Sequence, residues 1–132
     1  MKKQKKKNFF FSALYAWRGI VWNVDQESHM RFHFFACVVI GLLAYVLKVS
    51  VAEWLTLFVL FALVPTLEIL NSAIEELCNT VRDELKLSYQ ATKVPRDLAA
   101  GAVLWTSIIS IIISLIIFAP KIIALLVTWN IL

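Results

Sequence analysis

Glycine is scarce in this chain: Gly19, Gly41 and Gly101 are the only three in 132 residues, and they stand far apart. Neither a Walker-type nor a kinase-type glycine-rich loop can be built from them, so any nucleotide is held without either loop design. Cysteine is equally sparse. Cys37 and Cys78 are lone residues on predicted helices, expected at opposite depths or faces of the structure and without metal-ligand spacing. That excludes a disulfide framework and a zinc site, and leaves structural thiols. Charge is the third shortage. Only 17% of the residues are charged against 61% hydrophobic, with a mean hydropathy of +0.78. A soluble domain of this length could not bury so much apolar surface, because small domains have a large surface for their volume. The composition is that of an integral membrane protein.

The apolar sequence divides into three blocks, 30–48, 51–76 and 96–119, each near the roughly 20 residues that cross a hydrocarbon core of about 30 Å. We read 1–132 as one domain, all-α and embedded in the bilayer. Residues 1–28 form a basic tail and a surface helix, and residues 120–132 an apolar tail. That tail, after Pro120 and Lys121, is too short for a fourth span; it either extends the last helix past a kink or lies at the interface. The start, "MKKQKKKNFFFSALYAWRG", has the positive character of a signal peptide, but no small-residue cleavage site follows. Phe10, Leu14, Trp17 and Val21 recur at spacings of three and four, with Ser12, Arg18 and Asp25 off the stripe. This is the pattern of an interfacial amphipathic helix with lysines for anionic headgroups. Lys and Arg cluster at the amino terminus and between Leu77 and Asp97, whereas the opposite side holds Lys48, Glu53 and Lys121. With three spans, the positive-inside rule places the amino terminus in the cytoplasm and the carboxyl terminus outside. A lipid bilayer, not nucleic acid, is the partner this basic balance suggests.

Against that background, "LEILNSAIEELCN" is anomalous. Glu68, Asn71, Ser72 and Glu75 stand at i, i+3, i+4 and i+7, with Asn79 at i+11, so they share one helical face. Pro65 precedes the face and is expected to loosen the backbone. A charged side chain in a bilayer costs at least a few kcal/mol, so such residues face a protein interior or a water-filled cavity. Glu68 lies nearest the apolar run and is the more desolvated of the two acids, the setting of a general base that works near neutral pH. Glu75 lies two turns nearer the cytoplasm, where a carboxylate can hold a hard divalent cation. The plainer alternative is a helix end whose acids emerge into water or pair with Arg82 and Arg96. Two acids with an amide between them on one stripe favour function.

Other residues fall on the same cytoplasmic side. "NVDQESHMRFH" brings Glu27, which can supply a second carboxylate to a cation on Glu75, and the i, i+4 pair His29 and His33, read as interfacial histidines. In "PRDLAAGAVLW", Pro95 suits a helix start and Asp97 its first turn, while Arg96 is a cation that could meet phosphate. Ala99, Ala100, Gly101 and Ala102 would let another helix approach closely. Ser107, Ser110 and Ser114 repeat at three and four and are expected to make polar helix-packing contacts.

The motif from Glu68 to Asn79 strongly resembles the signature of the small bacterial membrane lipid kinases, the prokaryotic diacylglycerol and undecaprenol kinases. "YAWRG", "ESHMRFH", "VAEW", "RDLAAGAVL" and "PKIIALL" are similar to further blocks of that family, in family order. The resemblance implies a homotrimer in the bacterial plasma membrane, each subunit giving a surface helix and three spans, with active sites shared between neighbours. It implies transfer of the γ-phosphoryl group of MgATP to a lipid hydroxyl. Glu68 would be the general base, Glu27 and Glu75 the magnesium ligands, and Asn71 with Ser72 the groups that orient the substrate. Tyr15, Glu27, Glu75, Asn79, Arg96 and Asp97 would form the nucleotide pocket. Cys78-Asn79 stands where the family has Val-Asp, and Pro95-Arg96-Asp97 where it has Ala-Lys-Asp. The connection "TVRDELKLSYQATKV" lacks the family's acid-aromatic-histidine pattern. The expectation is an active enzyme with altered nucleotide affinity. "AAGAVL", "VAEW" and "PKIIALL" look like the Gram-positive branch, which phosphorylates undecaprenol; diacylglycerol is the alternative acceptor. A non-catalytic pore or scaffold is the alternative of another class, and a pore does not require Glu68, Asn71 and Glu75 together with Glu27.

Overall fold

The computed structural model describes residues 9–128, and within them the chain is helical with no strand. The lysines of the amino-terminal tail and residues 129–132 lie outside the described residues. Four α-helices follow in order: α1 (Phe9–Gln26), α2 (Ser28–Val46), α3 (Val51–Leu85) and α4 (Lys93–Thr128), with a 3-10 turn at Tyr89–Thr92 before α4. Three of them, α2, α3 and the segment from Tyr89 to Thr128, are long and apolar enough to cross a membrane. This is a multi-pass membrane protein.

The breaks between helices have local causes. Glu27 adopts extended backbone and separates α1 from α2. The guanidinium of Arg31, one turn into α2, donates to the carbonyls of Val24 (3.0 Å) and Asp25 (2.7 Å), satisfying orphan acceptors at the end of α1. Between α2 and α3, Lys48 takes the left-handed conformation (φ 50°). Ser50 and Glu53 then form a capping box: the Ser50 hydroxyl accepts from the Glu53 amide, and the Glu53 carboxylate from the Ser50 amide. α3 ends at Leu85 because Lys86 is left-handed (φ 53°).

Proline does not interrupt either long helix. Pro65 lies inside α3 and Pro120 inside α4, and both helices continue. The open question about residues after Pro120 is thus answered as far as Thr128: they extend the last helix. α4 also starts earlier than the expected residue 96, at Lys93, because Pro95 sits in the first turn, where a missing N–H costs nothing.

The helix lengths differ in a way that positions the site. α2, with 19 residues, is about 29 Å long, whereas α3, with 35, is about 52 Å at 1.5 Å per residue. α3 therefore overruns a hydrocarbon core of about 30 Å by several turns. α3 packs most extensively against α4, and two polar ties hold this antiparallel pair. At one end Lys121 Nζ meets Glu53 Oε2 at 3.1 Å. At the other, Arg96 Nη2 donates to Asn79 Oδ1 at 2.8 Å. Glu53 and Asn79 are 26 residues apart on α3, and Lys121 and Arg96 are 25 apart on α4, so the register is kept along the hairpin. The ties are therefore about 39 Å apart, which lets both sit outside the hydrocarbon while apolar surface fills the interval.

The core is confined mainly to one end. Ala44, Val49, Leu57, Ile117 and Phe118 pack together beside the Glu53–Lys121 tie. Elsewhere large apolar residues face outward from the subunit, among them Phe10, Trp17, Phe35, Leu98, Trp105 and Ile116. In water this would not be a stable surface; in a bilayer it faces lipid or other copies.

Candidate active site

The polar stripe of α3 is where the hydrophobic surface of the molecule turns inward. Glu68 is 4% exposed and Ser72 5%, with Val64 and Pro65 buried one turn before them. Glu75 and Asn79, farther along, are half-buried. Burial therefore decreases from Glu68 to Glu75 along the stripe. Neither pairs with an arginine: Arg82 meets Asp83 at 2.9 Å, and Arg96 meets Asn79. Among the described residues no hydrogen bond or ion pair reaches the Glu68 carboxylate. The side chain is almost wholly enclosed while its carboxylate oxygens have no partner among the described residues and keep some access, a setting normally retained where the group has work to do.

Asn71 stands between the two acids on the stripe and bonds one of them. Its Nδ2 donates to Glu75 Oε1 at 3.0 Å, which orients that carboxylate and leaves its second oxygen free. The Asn71 Oδ1 is buried with no partner among the described residues. An enclosed carbonyl oxygen of this kind keeps unused acceptor capacity. Ser72 is less available than the sequence suggests, because its hydroxyl donates to the Glu68 carbonyl at 3.1 Å.

At the Asn79 end of the stripe, Asn79 and Arg96 explain each other. The two residues that depart from the resembling pattern, 17 positions apart, form one hydrogen bond. The Arg96 Nε also points to Thr92 Oγ1 at 3.5 Å, and its guanidinium carbon lies 5.4 Å from the centre of the Tyr89 ring. The other expected residues are not bonded to the stripe. Glu27 is half-buried at the α1–α2 junction, Asp97 is exposed, and Tyr15 is exposed beneath the Arg18 guanidinium at 5.9 Å. Among the described residues, no group of three or more His, Cys, Asp or Glu side chains converges as a metal cage.

Three features were not anticipated. Asn23 on α1 is 2% exposed with an unpartnered Oδ1, while Phe10, Trp17 and Val21 of the expected apolar stripe are exposed. Its polarity gave no signal of burial. The serines of α4 do not bridge helices as expected: the Ser110 hydroxyl donates to its own helix at Thr106 (2.8 Å). Instead Ser107, Ser110 and Ser114 line an apolar cavity of about 390 Å³ between α2, α3 and α4, together with His33, Cys37 and Val64. The run Ala100–Gly101–Ala102 is exposed, with open space where a Gly101 side chain would stand, so no helix of this subunit uses it for close approach.

The sequence relationships agree with this geometry. The family model for prokaryotic diacylglycerol kinase matches residues 14–118, which contain the whole stripe and its Arg96–Asn79 tie. An undecaprenol kinase of Bacillus subtilis is 35% identical over 113 residues, covering 86% of this chain and 89% of that protein. A diacylglycerol kinase of Synechocystis is 30% identical over 121 residues, covering 91% of this chain and 67% of that protein. No solved structure matches the chain. The polar stripe of α3 thus lies within the matched part of the chain, and this chain belongs to the prokaryotic diacylglycerol kinase family.

Proposed function

We propose that the protein transfers a phosphoryl group from MgATP to a lipid alcohol, and that the alcohol is undecaprenol. The observation that carries this reading is the buried, unpartnered Glu68 carboxylate one helical turn from Asn71, whose amide holds Glu75. Phosphoryl transfer asks a protein for positioning and charge neutralisation rather than covalent chemistry, and a base to take the acceptor's proton. Glu68 accepts the proton of the lipid hydroxyl as its oxygen attacks the γ-phosphorus, the bond from that phosphorus to the β,γ-bridging oxygen breaks, and ADP leaves. The enclosed Asn71 Oδ1 orients that hydroxyl. The apolar cavity supports a lipid acceptor, because Val64 on its wall is one turn from Glu68 on the side of the hydrocarbon. The identity to the Bacillus subtilis undecaprenol kinase supports the choice of alcohol.

Glu27 and Glu75 would hold the magnesium ion. The donor set fits, since magnesium keeps several waters and takes one or two carboxylates plus phosphate oxygens rather than a full protein cage. When bound, the ion neutralises charge on the phosphates. Tyr15, Arg96, Asn79 and Asp97 complete the nucleotide pocket in this reading, with Ser72 supporting Glu68 through its backbone. The amino terminus and the site face the cytoplasm, α1 lies at the membrane surface, and the carboxyl terminus is external. A homotrimer with sites shared between neighbours would cover part of the outward-facing apolar surface and the open run at Gly101.

A second acceptor has support of its own, since the Synechocystis relative is named a diacylglycerol kinase. The test is phosphate transfer from labelled ATP by the purified protein, with undecaprenol and diacylglycerol as parallel acceptors. Preferential labelling of undecaprenol is expected. Preferential labelling of diacylglycerol transfers the proposal to that substrate, and labelling of neither lipid refutes the kinase reading.

A further inference from the structure

Arginine on a helix surface is ordinarily mobile, because its long side chain samples many rotamers. Arg96 is held from three directions. Its Nη2 donates to Asn79 Oδ1 at 2.8 Å, its Nε points to Thr92 Oγ1 at 3.5 Å, and its guanidinium lies over the Tyr89 ring at 5.4 Å. The last two anchors belong to a single rigid unit. Thr92 is 6% exposed, and its hydroxyl donates to the Tyr89 carbonyl at 3.3 Å, closing the 3-10 turn on which both residues sit.

All three anchors are uncharged. Among the described residues the paired cations are Lys121 with Glu53 and Arg82 with Asp83, whereas no carboxylate lies within ion-pair distance of Arg96. Had residue 79 been a carboxylate, the same contact would have cancelled the charge. The anchors occupy one N–H on Nε and one on Nη2, which leaves three of the five guanidinium donors free. An orientated guanidinium with spare donors and a whole positive charge suits a phosphate group, two of whose tetrahedrally placed oxygens its planar fork can meet at once. Asn79 stands one turn beyond Glu75 on the same helical face, so this charge is beside the cation-binding end of the stripe.

We infer that Tyr89 and Thr92 are positioning residues that hold Arg96, uncompensated, for a phosphate group of the nucleotide. The inference rests on the lipid-kinase reading for the identity of the nucleotide, but it can be tested without turnover. The measurement is equilibrium binding of MgATP to the full-length protein in detergent, alongside steady-state transfer to undecaprenol. Tyr89→Leu removes the aromatic face and is expected to raise Kd and KM for MgATP about 2- to 5-fold, the worth of an exposed cation–π contact, with kcat retained. Tyr89→Phe keeps the face and is expected to match the wild type. Asn79→Asp is expected to weaken MgATP binding more than Tyr89→Leu, by neutralising the guanidinium. An unchanged Kd in Tyr89→Leu, or a Tyr89→Phe protein as weak as Tyr89→Leu, overturns the inference. Transfer to lipid by the wild type with flat Kd across the Tyr89 variants overturns it alone. The expected Kd pattern without transfer to any lipid overturns the kinase reading alone, and a folded wild type that binds no MgATP overturns both.

Discussion

Glu75 owes its orientation to a neighbour that the helix period places one turn away. Asn71 donates to one of its oxygens at 3.0 Å and leaves the other open. Asn71→Ala is therefore expected to raise the magnesium concentration for half-maximal turnover roughly tenfold, the scale of a hydrogen bond to a charged group. A magnesium titration of the variant checks this, and an unchanged midpoint contradicts it. The stripe itself was legible in the sequence, because spacings of three, four and seven on a helix force its members onto one face. The Asn79–Arg96 contact was not. Its partners are 17 positions apart, joined by a 3-10 turn whose sequence carries no regular period, so two apparent departures read separately proved to be one interaction. Asn23 was missed for a related reason: its burial depends on what packs over α1, not on α1's own pattern.

At the scale of helices, the hairpin of α3 and α4 carries the site on its long overhang. Its register is pinned at the far end by Glu53, which serves both the capping box of α3 and Lys121 of α4. Lys121→Ala is expected to lower stability by up to about 1 kcal/mol, the range of a partly exposed ion pair. Ser50→Ala, which removes the cap, is expected to cost about 1 kcal/mol. Thermal unfolding in detergent checks both; a Ser50→Ala protein as stable as the wild type contradicts the capping account. The three spans were readable from hydropathy and length alone. The helix ends were not, since Pro120 removes only one backbone donor and leaves the continuation of α4 to packing, while the left-handed Lys86 that stops α3 has no glycine to announce it.

For the whole molecule, the single chain buries little. Its outward apolar residues and the open face at Gly101 suit a chain surrounded by lipid, and they leave room for the proposed companions. A trimer is expected when the protein is cross-linked or weighed by native mass spectrometry in mild detergent, and an active monomer contradicts shared sites. No pattern within one chain could have displayed this, because the surfaces that would meet belong to different copies. What the sequence did carry to this scale was the membrane class, through a charge content too low and apolar blocks too long for a soluble domain. The central claim is that the buried carboxylate of Glu68 takes the proton of the lipid alcohol. The most direct measurement is the rate of phosphate transfer to undecaprenol by Glu68→Gln, which keeps the shape of the side chain and removes its basicity. We expect turnover to fall by roughly 10²- to 10⁴-fold with MgATP binding retained; turnover equal to that of the wild type would contradict the account.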